Sequence, residues 1–145
     1  MAEDRDPPAA PVGAGTPRLV RPLLLYNGGC QFCRWVARIV DRLDRDDALA
    51  YLSIWDDDAR PFMEVIPMPE RVAVWHLVMP DGSRRSGGPA VVDVLERLGW
   101  TGWFGRLCRA LRLTRLVDAG YDFVSKRKSR LSHHVPDGPG PRRFP

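Results

Sequence analysis

The chain has 145 residues, enough for one domain with one real core that needs no disulfide staples. Its 44% hydrophobic and 28% charged residues match an ordinary globular protein, and no apolar run approaches the ~20 residues of a membrane span. Three cysteines are too few for a secreted disulfide framework, and the net charge of +4 divides into +7 over residues 106–145 and −3 over the rest.

Residues 1–18 are rich in Pro, Ala, Gly and Asp, lack periodicity and are expected to be a disordered tail. They have neither a basic n-region nor an apolar h-region, so no secretory signal is read there, and the expected compartment is the cytoplasm. The folded domain is expected over residues 19–131. It opens with Leu23-Leu24-Leu25-Tyr26, a short apolar run that reads as a buried strand. Asn27-Gly28-Gly29 is a turn. A helix then starts at or beside Cys30, with Phe32, Val36, Ile39, Val40 and Leu43 on one face.

Leu49-Ala50-Tyr51-Leu52-Ser53-Ile54 reads as a second strand, closing a βαβ unit. Asp56-Asp57-Asp58 resembles a helix N-terminus, where carboxylates are favoured, and a short helix should run to about Val65. Val72 to Val78 reads as the clearest strand. Pro80-Asp81-Gly82-Ser83 is a tight turn, and a return strand through Arg84 and Arg85 completes a hairpin. Gly87-Gly88-Pro89 opens a helix with Ala90, Val91, Val94, Leu95 and Leu98 on its buried face and Gly99 at its end. Phe104, Leu107, Cys108 and Leu111 mark a further amphipathic helix; Val117, Tyr121, Val124 and Leu131 mark another.

The tail over 132–145 holds four prolines and two glycines and is expected to be flexible. The order is β-α-β-α-β-β-α with extra C-terminal helices. It predicts an α/β fold with a thioredoxin-like mixed sheet, the first three strands parallel and the hairpin adding an antiparallel edge.

Cys30-Gln31-Phe32-Cys33 falls across the first turn of the first helix. That spacing brings two sulfurs close enough to bond, the first near unpaired helix N–H groups that favour a thiolate and the second one turn in. Cys30 is then the attacking thiol and Cys33 the resolving thiol. Gly28 and Gly29 leave room for a substrate backbone. Arg34, four residues on, either supports the thiolate or is an ordinary exposed helix residue. Phe32 is expected to pack under the motif and Gln31 to be exposed. A half zinc site is the competing reading; its other ligands would come from Cys108, His76, His133 and His134, which show no paired ligand spacing. No metal and no cofactor is therefore expected.

The run Leu24-Leu25-Tyr26-Asn27-Gly28-Gly29-Cys30-Gln31-Phe32-Cys33, together with Gly88-Pro89-Ala90 and Tyr121-Asp122-Phe123-Val124-Ser125-Lys126-Arg127, resembles the DCC family of thiol-disulfide oxidoreductases over roughly residues 22–131. The family is named for an Asp-x-x-Cys-x-x-Cys motif, and its Asp is Asn27 here. An amide hydrogen-bonds but does not exchange a proton with a thiol, so the resemblance implies a site without its usual local proton carrier. Many thioredoxin-fold oxidoreductases place a cis-proline before the third strand, facing the disulfide. Pro69 is the better placed candidate, against an ordinary loop proline.

The resemblance implies a protein-disulfide reductase type of enzyme, acting on protein or small-molecule disulfide and dithiol substrates. The alternative is a non-catalytic binding module whose basic C-terminal helix, through Arg127, Lys128 and Arg130, meets an acidic partner or the surface of a membrane. No aromatic-and-basic pattern of a nucleic-acid module is present, so no specific nucleic acid is expected.

Overall fold

The computed structural model describes residues 16–99 and 102–144. The expected N-terminal tail lies, for residues 1–15, outside the described residues. Strand β1 (Leu23–Tyr26) is buried along its whole length because both of its faces are covered. Leu23 and Leu25 face one cluster with Leu52, Phe62, Met63 and Ile66; Leu24 and Tyr26 face the other with Tyr51, Leu77, Ala90 and Val94. The two-residue period of a strand divides the run between two cores, each fully buried leucine worth about 1.5–3 kcal/mol.

Helix α1 (Gln31–Leu43) follows, then β2 (Ala50–Ser53), a 3-10 turn at Asp57–Ala59, the short helices α2 (Arg60–Met63) and α3 (Met68–Ala73), and the hairpin β3 (His76–Val78) and β4 (Arg84–Ser86). Three helices complete the order: α4 (Gly88–Arg97), α5 (Gly102–Ala110) and α6 (Thr114–Leu131), with a last 3-10 turn at Ser132–His134. The expected mixed α/β, thioredoxin-like architecture is present, with strand order β2-β1-β3-β4.

Two expectations need correction. The first three strands are not all parallel: β1 and β2 are parallel, but β3 runs antiparallel to β1. His76 pairs with Leu25, at the same end of the sheet where β2 stops opposite Tyr26. The connection therefore never returns to the opposite end, as a parallel crossover must. Second, Val72 to Trp75 is not strand. Pro69 lies in the first turn of α3, where a missing N–H costs nothing, and the helix runs on through Val72 and Ala73. Only His76–Val78 remains to pair.

His76 is fully buried, its Nδ1 2.7 Å from Ser86 Oγ across the hairpin. Burial, then the nearby Arg84 charge, push its pKa down to about 4. Between the ordinary value near 6.5 and about 4 the unfolded chain takes up a proton that the folded chain refuses. Stability should therefore be lost as pH falls through this window, by on the order of 3 kcal/mol. Urea midpoints at pH 7 and pH 4 check this, and His76→Leu should flatten the difference.

Glycine at position 88 sets the place of α6. A Cβ there would stand 2.5 Å from Asp118 Cα, and the Gly88 N–H donates to Asp118 Oδ1 at 3.1 Å. This close crossing lays α6 over α4 and brings its face Tyr121, Val124, Ser125 and Lys128 toward α1.

The segment after residue 131 runs back along the domain and pairs with it. Arg143 exchanges both backbone hydrogen bonds with Tyr51, at 2.7 and 3.0 Å, and so covers the free edge of β2. Its guanidinium reaches Asp41, Asp44 and Asp47, and that of Arg142 reaches Asp56 and Asp58. The Tyr26 hydroxyl donates to Pro141 O at 2.7 Å. Prolines and glycines rule out a helix here but suit an extended strap, and the basic end is drawn to acids of the first half. Buried Asp44 is the centre of this docking. It accepts from Ala48 N–H, Leu49 N–H and the Tyr51 hydroxyl, and pairs with Arg143. Asp44→Ala should cost about 2–3 kcal/mol by stranding these donors, read as a lower urea midpoint at unchanged slope.

Candidate dithiol site

β1 ends at Tyr26 and the chain turns over Asn27-Gly28-Gly29. The Asn27 side-chain oxygen accepts from Gly29 N–H at 3.0 Å and from Trp55 Nε1–H at 2.9 Å, and Cys30 N–H donates to Asn27 O. This bonded turn delivers Cys30 as the N-cap of α1. Its Sγ accepts from Cys33 N–H at 3.4 Å, in the place where a Ser or Asp oxygen commonly caps a helix. A Cβ on Gly28 would collide with the Ser53 hydroxyl, so glycine there lets the turn lie against the end of β2.

Both thiols are free. Cys30 is partly exposed and Cys33 is buried one turn into the helix. Burial pushes the Cys33 thiol up to about 12, helped by its hydrogen bond to Cys30, while the charge of Lys128 pulls the other way. At neutral pH Cys33 is therefore protonated. Beside it lies a cavity of about 340 Å³, walled by apolar side chains of α1, α4, α6 and the 72–75 segment. Asn27 and Cys33 both reach its wall.

Helix α6 holds the site from above. Lys128 Nζ donates to Val72 O at 2.7 Å, Ser125 Oγ donates to Ala73 O at 2.6 Å, and the Tyr121 hydroxyl accepts from Trp75 N–H at 2.6 Å. Burial raises the Tyr121 phenol far above its usual range. Ser132 Oγ accepts from Phe32 N–H and donates back to Lys128 O, tying the end of α6 to the first turn of α1.

The family model of DCC1-like thiol-disulfide oxidoreductases matches residues 24–134, which takes in the whole of this site. The chain belongs to the DCC1-like thiol-disulfide oxidoreductase family. Searches of curated proteins and of solved structures return no match.

The fold brings some of the expected residues together and leaves others apart. Asn27, Gly28, Gly29, Cys30 and Cys33 form one loop and helix start. Arg34 is neither an exposed helix residue nor turned to the sulfurs: it donates to Gly28 O at 2.7 Å, to Gly138 O at 3.0 Å and to Asp137. It locks the turn to the C-terminal strap. Gln31 is half-buried and donates to Val135 O, not exposed as expected. Pro69 stands exposed in α3, and Val72 to Trp75, not Pro69, line the cavity next to Cys33.

Among the described residues no group of three His, Cys, Asp or Glu side chains is gathered as metal ligands would be. Cys108 is buried in α5, and His133 and His134 are exposed. Of the basic residues on α6, Lys128 is turned inward, while Arg127 lies over the Phe123 ring at 4.3 Å. No helix among the described residues is long and apolar enough to cross a membrane.

Two residues at the site went unread in the sequence, and a third was read for another role. Trp55 bonds Asn27, Ser132 accepts from Phe32 N–H in the first turn of α1, and Lys128, read as part of a basic outer face, lines the cavity beside Cys33. The spacing Tyr121, Val124, Ser125, Lys128 is a helical i, i+3, i+4, i+7 stripe and is the signal that points to Lys128.

Proposed function

We propose that the protein is a thiol-disulfide oxidoreductase that exchanges through Cys30 and Cys33. The observation that carries this reading is the arrangement of the pair: Cys30 as the accessible helix cap, with the buried Cys33 hydrogen-bonded to it. Membership of the family supports it.

In the proposed step the Cys30 thiolate attacks one sulfur of a substrate disulfide, forming a mixed disulfide and releasing the other sulfur as thiolate. Cys33 then loses its proton and attacks Cys30 Sγ. This forms the Cys30–Cys33 disulfide and frees the second substrate thiolate. The substrate gains two electrons, the pair loses two, and an external dithiol restores the pair by the reverse steps. Asn27 supports the loop through its hydrogen bonds and supplies no proton.

Mixing the reduced protein with hydroxyethyl disulfide, quenching in acid and mapping by peptide mass tests the reading. The expected early adduct is on Cys30, followed by a Cys30–Cys33 disulfide. A stable adduct on Cys108 alone, with Cys30 unmodified, would sink it.

A further inference from the structure

The 72–75 segment lies beside Cys33 in the cavity wall. Helix α6 and the start of α4 hold it there. Val72 O accepts from Lys128, Ala73 O from Ser125, Trp75 N–H donates to Tyr121, and Trp75 O accepts from Gly87 N–H. The cavity this segment borders has a volume of about 340 Å³, within the roughly 300–1,000 Å³ of small-molecule sites. Val36, Val94, Leu98 and Val117 make its walls apolar, and Cys33 lies in the wall. Among the described residues Lys128 is the one cation lining it; its ammonium donates to Val72 O and Ala73 O and pairs with no carboxylate.

We propose that this cavity binds a small amphiphile, its apolar body held between α1, α4 and α6 and its anionic head at Lys128. This binding does not rest on the dithiol reading, because it needs neither sulfur.

The test uses the full chain with both site cysteines changed, Cys30→Ser and Cys33→Ser, and decanoate as the probe, followed by calorimetry and by tryptophan fluorescence. Decanoate should bind saturably at one site, and decanol and decyltrimethylammonium at least about tenfold more weakly, since charge-assisted hydrogen bonds supply the difference. Lys128→Met should weaken decanoate by a similar factor and Lys128→Arg should restore it. Val124→Trp, at the partly exposed rim, should weaken both decanoate and decanol by filling the space. No binding, equal affinity for decanoate and decanol, or indifference to Val124→Trp would each overturn the proposal. If decanoate fails while the native protein still reduces hydroxyethyl disulfide, only this inference falls. If decanoate binds while Cys30 stays unreactive, the cavity stands and the dithiol reading falls.

Discussion

Replacing Cys30 by Ser should lower disulfide exchange by at least about 10³-fold, to the level of the buffer reaction, because the attacking sulfur is lost outright. Replacing Cys33 by Ser should have a different signature. The first attack proceeds, but no internal thiol resolves the adduct, so the protein accumulates as a mixed disulfide on Cys30. The contrast follows from position. Cys30 caps the helix and is partly open, whereas Cys33 is buried and bonded to it. Stopped-flow turnover together with intact mass separates the two variants. A Cys30→Ser protein of full activity would contradict the assignment, and so would a Cys33→Ser protein that traps no adduct.

The second large effect is expected at Asn27. The Cys33 thiol is pushed up to about 12, first by burial, so only a minute fraction is thiolate near neutrality. In the native protein burial still holds the Cys33 thiol up once Cys30 is in a mixed disulfide, so the resolving step should accelerate steadily as pH rises from 6 to 9. Asn27→Asp keeps an oxygen where Trp55 Nε1–H and Gly29 N–H donate, and adds a proton acceptor at the wall that Cys33 shares. A general base there should speed resolution by on the order of 10²-fold at pH 7 and flatten the pH dependence. Quench-flow decay of a preformed Cys30 mixed disulfide measures both. An Asn27→Asp protein with unchanged rate and unchanged slope would show that this side chain has no path to the Cys33 proton.

Much of the site is legible in the sequence because it is local. The strand, the Asn27-Gly28-Gly29 turn and the CxxC at a helix start lie within eleven residues, and the periodicities of β1 and α1 are unambiguous. The orientation of β3 is not local. The apolar run Val72 to Val78 fits a strand by composition, and only the prolines at its front mark a helix that ends inside it. The C-terminal strap was equally out of reach. Its prolines and glycines read as looseness, while its anchors are pairings with carboxylates some 84 to 102 residues away in the chain. The same pairings account for part of the uneven charge: Arg142 and Arg143 neutralise acids of the first half instead of waiting for an outside partner.

Arg34 illustrates how a plausible local role yields to a distant one. Four residues from Cys30 it is close enough in sequence to serve the thiolate. The strap instead offers Gly138 O and Asp137, and the turn offers Gly28 O; together these satisfy the guanidinium. In the same way the face of α6 that holds Tyr121, Ser125 and Lys128 becomes meaningful only once Gly88 lets the helix cross α4 closely.

Equilibration of the native protein in glutathione buffers of graded potential, with alkylation of free thiols and peptide mass mapping, tests the central claim most directly. A reversible two-electron transition confined to Cys30 and Cys33, with Cys108 alkylated throughout, is the predicted result. Two cysteines that fail to pair anywhere between about −320 and −120 mV would contradict it.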